Sequence, residues 1–230
     1  MKTAGLIGGL GPESTVDYYQ SIIELYRERR PDGGYPHLII NSVDLQLVRG
    51  LIERNQLAEV ALYLSGEIKR LAAAGADFAI ITANTPHLVF DDVQRQSPLP
   101  LISIVQATCD AARAQGLKKL ALLGTRFTMQ GRFFPEVFSA AKIALVTPPQ
   151  DEQAFIHEKY IDELLIGKFL AETRRRILKI ATRLAQEEGA EAAILAGTEL
   201  PLLLRDSDSR IRFLDTTRIH VNATVDAILA

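Results

Sequence analysis

The stretch "GADFAIITANTPHLVF" at 75–90 returns downstream as "GAEAAILAGTELPLLL" at 189–204. Each begins with Gly-Ala, runs through a short apolar segment and breaks at a Thr followed within three residues by both a Pro and a Leu. The likeness extends to both sides. "GLIGGLGPEST" aligns with "ALLGTRFTMQ" and "LPLISIVQAT" with "IRFLDTTRIH", at offsets of about 112–116 positions. A spacing this steady is the mark of a duplicated unit. Within each copy, β-branched runs alternate with longer helical patterns, as in parallel sheets joined by crossover helices. The strand candidates are "AGLIGGL", "HLIINSV", "DFAIITAN", "PLISIV", "KLALLGT", "KIALVTP", "AAILAGT" and "IRFLDTT", two sets of four.

The expected fold is therefore α/β: two pseudo-symmetric lobes, each a four-stranded, mainly parallel sheet flanked by helices, with a cleft between them. The expected lobes are 1–98 plus 210–230, and 99–209. In this arrangement 100–105 crosses to the second lobe, while "IRFLDTT" and the helix over 217–229 pack on the first. Helix faces are read from spacing: Val16, Tyr19, Ile23 and Tyr26 after Pro12, and Phe169, Ile177, Leu178, Ile180, Ala181 and Leu184 over 169–188. At 47% hydrophobic residues the chain has enough apolar surface for two such cores.

Charge excludes some partners. The 26 basic and 28 acidic residues mix along the chain, so no basic face marks a nucleic-acid or membrane-surface protein. The apolar run in "MKTAGLIGGLGPES" breaks into glycines too early for a signal peptide or a spanning helix, which points to the cytoplasm. The single Cys109 excludes an internal disulfide framework, and the four histidines, His37, His87, His157 and His220, lack metal-ligand spacing. No metal site is expected.

"GGLGPEST" follows the first strand and opens a helix, as a dinucleotide fingerprint would. Gly9 and Gly11 fit its first two glycines, but Ser14 takes the third place and Pro12 removes an N–H. What remains is a tight turn whose N–H groups, with the Ser14 and Thr15 hydroxyls, suit a small anion such as a carboxylate. In the repeat, "LGTRFTM" offers Thr125 and Thr128 for the same task. Plain helix capping accounts for each hydroxyl equally well. Because ligands of open α/β sheets bind beyond the carboxyl ends of the strands, Asn84, Thr85 and Thr198 join Gly9, Gly11, Ser14, Thr15, Thr125 and Thr128 as candidate substrate contacts.

In order and over nearly the whole chain, "GGLGPESTVDYY", "ANTPH", "GTRFTM", "GTELPLLL" and "LDTTRIH" resemble the aspartate/glutamate racemase family, in its aspartate racemase branch. The resemblance implies two α/β lobes, no pyridoxal phosphate or other cofactor, no metal, a homodimer, and two cysteines acting as opposed acid and base across the substrate Cα. Those cysteines would precede "NT" and "TE". Here these positions hold Ala83 and Gly197, and neither can move a proton. Cys109, in "QATCDAARA", reads as a packed residue on a helix rather than a substitute. The resemblance also implies an Arg after the second strand and a Lys before a Gly for a distal carboxylate. This chain has Asp44 in the first region and Leu165 and Ile166 before Gly167 in the second, with Arg49 and Lys168 out of clear register. Asp44 suits an amino or hydroxyl group, or a helix cap.

Candidate proton-transfer groups are Glu199, beside Thr198, and His87, two residues beyond Thr85; His220 reads better as structural, and His87 also as a hydrogen bond within its own loop. Buried beside "LPLLL", Glu199 is the stronger carboxylate candidate. Three function classes follow: a cofactor-independent racemase or epimerase of a small amino acid with a non-thiol acid/base pair; a one-base isomerase, lyase or decarboxylase on a small carboxylate; or an inactive small-molecule-binding homologue.

Overall fold

The first strand, β1 (Ala4–Gly8), carries no exposed residue along its length, which is what a central parallel strand with helices on both faces requires. The computed structural model describes residues 1–30, 32–204 and 211–230. It divides the chain into two units, Met1–Ile104 with His220–Ala230, and Val105–Ile219.

In the first unit β1 is followed by α1 (Pro12–Arg29), β2 (Leu38–Ser42), α2 (Leu45–Glu53), α3 (Leu57–Ala73), β3 (Phe78–Ile81), α4 (Phe90–Gln96) and β4 (Leu101–Ile102). The sheet order is β2-β1-β3-β4, all parallel, with Ala4 opposite both Leu38 and Phe78. After β2 the chain passes back over β1 to form β3, so the strand order reverses between β1 and β3. That reversal opens a crevice at their carboxyl ends. The core joins Leu6, Phe78 and Ile80 of the sheet to Tyr18, Ile22 and Tyr26 of α1.

The second unit repeats the plan with α5 (Ile104–Ala114), β5 (Lys119–Gly124), α6 (Arg126–Gln130), α7 (Phe133–Ala140), β6 (Ala144–Val146), α8 (Gln150–Asp162), α9 (Ala171–Glu188), β7 (Ala192–Ala196), α10 (Leu200–Leu203) and β8 (Arg212–Asp215); α11 (Thr216–Leu229) starts in it and belongs from His220 onward to the first. Its order, β6-β5-β7-β8, is again parallel and reverses between β5 and β7. Ile156, Tyr160, Ile177, Ile180 and Leu184 pack on Ala121, Leu123, Ala193 and Leu195. Two four-stranded parallel sheets flanked by helices thus answer the eight expected strands.

Three expectations are corrected. The exchange of strands does not occur: β4 bonds β3 in the first sheet and β8 bonds β7 in the second. What returns to the first unit is the helix after β8, whose Val221, Val225 and Ile228 enter the core around Tyr18 and Ile22. The expected lobe boundary at 209/210 lies outside the described residues. On α1, Val16 and Tyr19 are exposed, while Ser14, Tyr18, Ser21, Ile22 and Tyr26 are buried. The buried face is set one residue away from the apolar spacing because it includes two serines, and because the Tyr18 hydroxyl has a buried partner. Phe169 precedes α9 and is 39% exposed, whereas Ile177, Ile180, Ala181 and Leu184 are buried as the spacing predicts. Among the described residues no helix is long and apolar enough to cross a membrane.

Candidate functional site

The β1–α1 turn enters the first crevice. Gly9 has φ 79°, and a Cβ there would meet the Val43 carbonyl oxygen at 2.3 Å, so only glycine lets β1 leave the sheet this close to the end of β2. Gly11 caps α1 ahead of Pro12. The Thr15 hydroxyl accepts the Gly9 N–H at 2.9 Å and donates to the Gly11 carbonyl at 3.0 Å. Ser14, fully buried, donates to the same carbonyl at 2.9 Å. The hydroxyls singled out as an anion cradle therefore close the turn on itself. Asp44 caps α2 through the Gln46 N–H at 2.8 Å, the capping role of the two open to it.

After β3 the chain makes a 3-10 turn, Thr85–Val89. Thr82 ties this exit to β1 by donating to the Ile7 carbonyl at 2.9 Å. Asn84 is buried and its carbonyl accepts the His87 N–H at 2.9 Å, while Thr85 is half-buried at the start of the turn. The His87 ring is stacked on Phe90. The Ile104 N–H donates to His87 Nε2 at 3.3 Å, so Nδ1 carries the proton and donates to the Ala83 carbonyl at 2.9 Å. Burial, and next the neighbouring His220, lower its pKa to about 3. His87 is a neutral ring with both nitrogens on backbone groups. His220 is buried likewise: Nε2–H donates to the Ile102 carbonyl, Nδ1 accepts from the Tyr18 hydroxyl, and burial lowers its pKa to about 4.

The second crevice holds a different chemistry. Thr125 caps α6, accepting the Thr128 N–H at 3.3 Å, with the two hydroxyl oxygens 3.2 Å apart. Beyond β7, Glu199 is fully buried. Its Oε2 accepts from the Thr198 hydroxyl at 3.1 Å and from the Tyr160 hydroxyl. Burial, and then the Glu199 charge, push the Tyr160 phenol well above its ordinary range. Tyr160 lies on α8, one turn beyond His157, whose Nδ1 accepts the Arg126 N–H at 3.4 Å. Cys109 is buried in α5, with its thiol 3.8 Å from the Val137 carbonyl; burial raises its pKa. Among the described residues no group of three His, Cys, Asp or Glu is set to hold a metal.

This duplicated sheet with its two motif-bearing crevices has known counterparts. Residues 7–224 match the family described as Asp/Glu/Hydantoin racemase. The chain belongs to that family. Among proteins similar to this racemase-family chain, the broad specificity amino-acid racemase RacX of Bacillus subtilis (strain 168) is 24% identical over 230 residues, covering 98% of each chain. An aspartate racemase homologue from Pyrococcus horikoshii OT3 is 33% identical, covers all of both chains and superposes with a TM-score of 0.85. A Yersinia pestis protein assigned to the Asp/Glu racemases is 31% identical over the full length of both, with a TM-score of 0.90.

Sequence reasoning missed Tyr160. It sits 39 positions before Glu199, on a helix whose apolar residues look like ordinary core. Gly197 held the only signal. A Cβ there would meet Tyr160 Cε2 at 2.4 Å, Cζ at 3.0 Å and the hydroxyl at 3.1 Å, so this racemase-family chain has a glycine where a phenol needs the room.

Proposed function

We propose that this protein is a cofactor-independent amino-acid racemase or epimerase in which a carboxylate, not a thiol, moves the α-proton. The single observation that carries the reading is the buried Glu199, hydrogen-bonded by Thr198 and Tyr160 at the carboxyl end of β7. A substrate α-proton is very weakly acidic, so its transfer needs a base held in a dry setting and donors that stabilise the developing negative charge on the substrate carboxylate. Glu199 supplies the base. Asn84, Thr85, Thr198, Thr125 and Thr128 contact the carboxylate and amino group of a small amino acid through amide and hydroxyl groups, beside the turn of Gly9, Gly11, Ser14 and Thr15, whose hydroxyls close it on itself. In this reading Glu199 takes the α-proton and His87, the other member of the pair, returns a proton to the opposite face of the Cα, while Ala83 and Gly197 stand where the resemblance expects thiols. The protein works in the cytoplasm as a homodimer without pyridoxal phosphate.

A second reading rests on His87. With both ring nitrogens on the backbone, it is poorly set to serve as the opposing acid, which favours a one-base isomerase, lyase or decarboxylase acting on a small carboxylate. One experiment separates these. The protein is incubated with a panel of amino acids in deuterated water and followed by NMR and chiral chromatography. A racemase replaces the α-proton with deuterium and yields both enantiomers; a one-base enzyme yields one new product; a thermal shift without turnover marks a binding protein and refutes both enzymatic readings. Light scattering at micromolar concentration tests the dimer.

A further inference from the structure

We infer that Tyr160 is a positioning residue for the carboxylate of Glu199 and that Gly197 is the space that admits it. The inference rests on the reading of Glu199 as the proton-transfer group. Glu199 is fully buried, and a carboxylate without water ionises only where donors replace its hydration. Two converge on one oxygen, the Thr198 hydroxyl at 3.1 Å and the Tyr160 hydroxyl. Two donors on Oε2 fix the plane of the carboxyl group as well as its charge.

The Tyr160 ring is itself fixed. It belongs to the core with Ile156, Leu164 and Leu200, and it lies so close to Gly197 that a Cβ there would fall 2.4 Å from Cε2. Any side chain at 197 displaces the ring and takes the hydroxyl from Glu199. A structural tyrosine needs only its ring in this core; a hydroxyl aimed at the buried carboxylate adds something that packing does not require.

The test separates ring from hydroxyl. Full-length protein carrying 13C at the glutamate carboxyl carbons is titrated by NMR, with the Glu199 signal assigned by its loss in Glu199→Gln, in wild type and in Tyr160→Phe. The same proteins are assayed for α-proton exchange against pH with the best amino acid of the panel. Removing one donor disfavours the charged form, so in Tyr160→Phe the Glu199 midpoint should rise by about one pH unit or more, and the acidic limb of the exchange profile should rise with it. Turnover near neutrality should fall roughly tenfold with KM changed less than about twofold. Gly197→Ala, which keeps the hydroxyl but moves the ring, should reproduce the shift and serves if Tyr160→Phe does not fold. A Glu199 midpoint and exchange profile unmoved in a folded variant overturn the inference. Absence of exchange in wild type with every amino acid tried overturns the proton-transfer role of Glu199 instead, and the NMR midpoint still decides whether Tyr160 controls the carboxyl group.

Discussion

The Tyr18 hydroxyl donates to His220 Nδ1 at 2.9 Å, joining α1 to the last helix across 202 positions. With Nε2–H on the Ile102 carbonyl, His220 is fixed in one neutral tautomer, and His87 is fixed in the other by Ala83 and Ile104.

Acid should therefore unfold this protein through its histidines. Burial holds His87 to about 3 and His220 to about 4, against an ordinary value of 6.5. Below pH 6.5 the unfolded chain takes up protons that the folded chain refuses, so this contribution to stability is full above pH 6.5 and is lost as pH falls toward 4 and 3. Each histidine adds a slope of up to about 1.4 kcal/mol per pH unit in that window. Calorimetry should show Tm falling between about pH 7 and about pH 4.5, and a flatter fall in His220→Gln. Equal slopes in the two proteins would contradict this.

Residue 197 should tolerate no side chain while Tyr160 is present. Gly197→Ala should cost about 1–3 kcal/mol, the range for overpacking a filled core. Combining it with Tyr160→Ala should cost less than the sum of the two single changes, because the smaller residue clears the space. Additive losses in chemical denaturation would place the ring elsewhere. The same clash means that thiols at both 83 and 197 require a smaller residue at 160; Gly197→Cys alone does not restore a two-thiol site.

Cys109 should be inert. It is 1% exposed in α5 and its thiol pKa is raised by burial, so the thiolate that reacts with alkylators is scarce. Mass spectrometry after iodoacetamide should show little modification of native protein and full modification in denaturant. Activity should survive Cys109→Ala; its complete loss in a folded variant would assign this thiol a chemical role.

The two strand exits should answer differently to the loss of a hydroxyl. A charge-assisted hydrogen bond is worth roughly 1.5–3 kcal/mol, so Thr85→Val should weaken binding of the amino acid by about tenfold to a hundredfold with little change in Tm. Thr198→Val also removes a donor from Glu199 and should lower turnover as well as affinity. Glu199→Gln should lower turnover far more than affinity. Calorimetric titration beside the exchange assay checks all three, and wild-type affinity in Thr85→Val would remove that residue from the site.

The eight strands were legible because central parallel strands, buried on both faces, show as apolar runs, and the duplication repeated the signal. The face of α1 was not. Ser14 and Ser21 are buried there, and a count of apolar residues cannot see a serine whose hydroxyl is bonded to its own turn. The strand exchange failed for a related reason: the motif likeness marked equivalent segments without stating which sheet edge each one pairs with. At the candidate site, Thr198 and Glu199 stood out because they end a strand. Tyr160 did not, since its meaning depends on the absence of a side chain at Gly197, a relation that exists only once α8 lies on β7.

The placement of Val221, Val225 and Ile228 beside Tyr18 and Ile22 sets a timetable for the nascent chain. A ribosome delivers residues 1–104 first and the helix that seals their core after residues 105–219 have emerged. The early half thus waits with an apolar flank uncovered, while the later half has all its strands before it. Order of closure inverts order of synthesis, and the part made first is the last to be sealed.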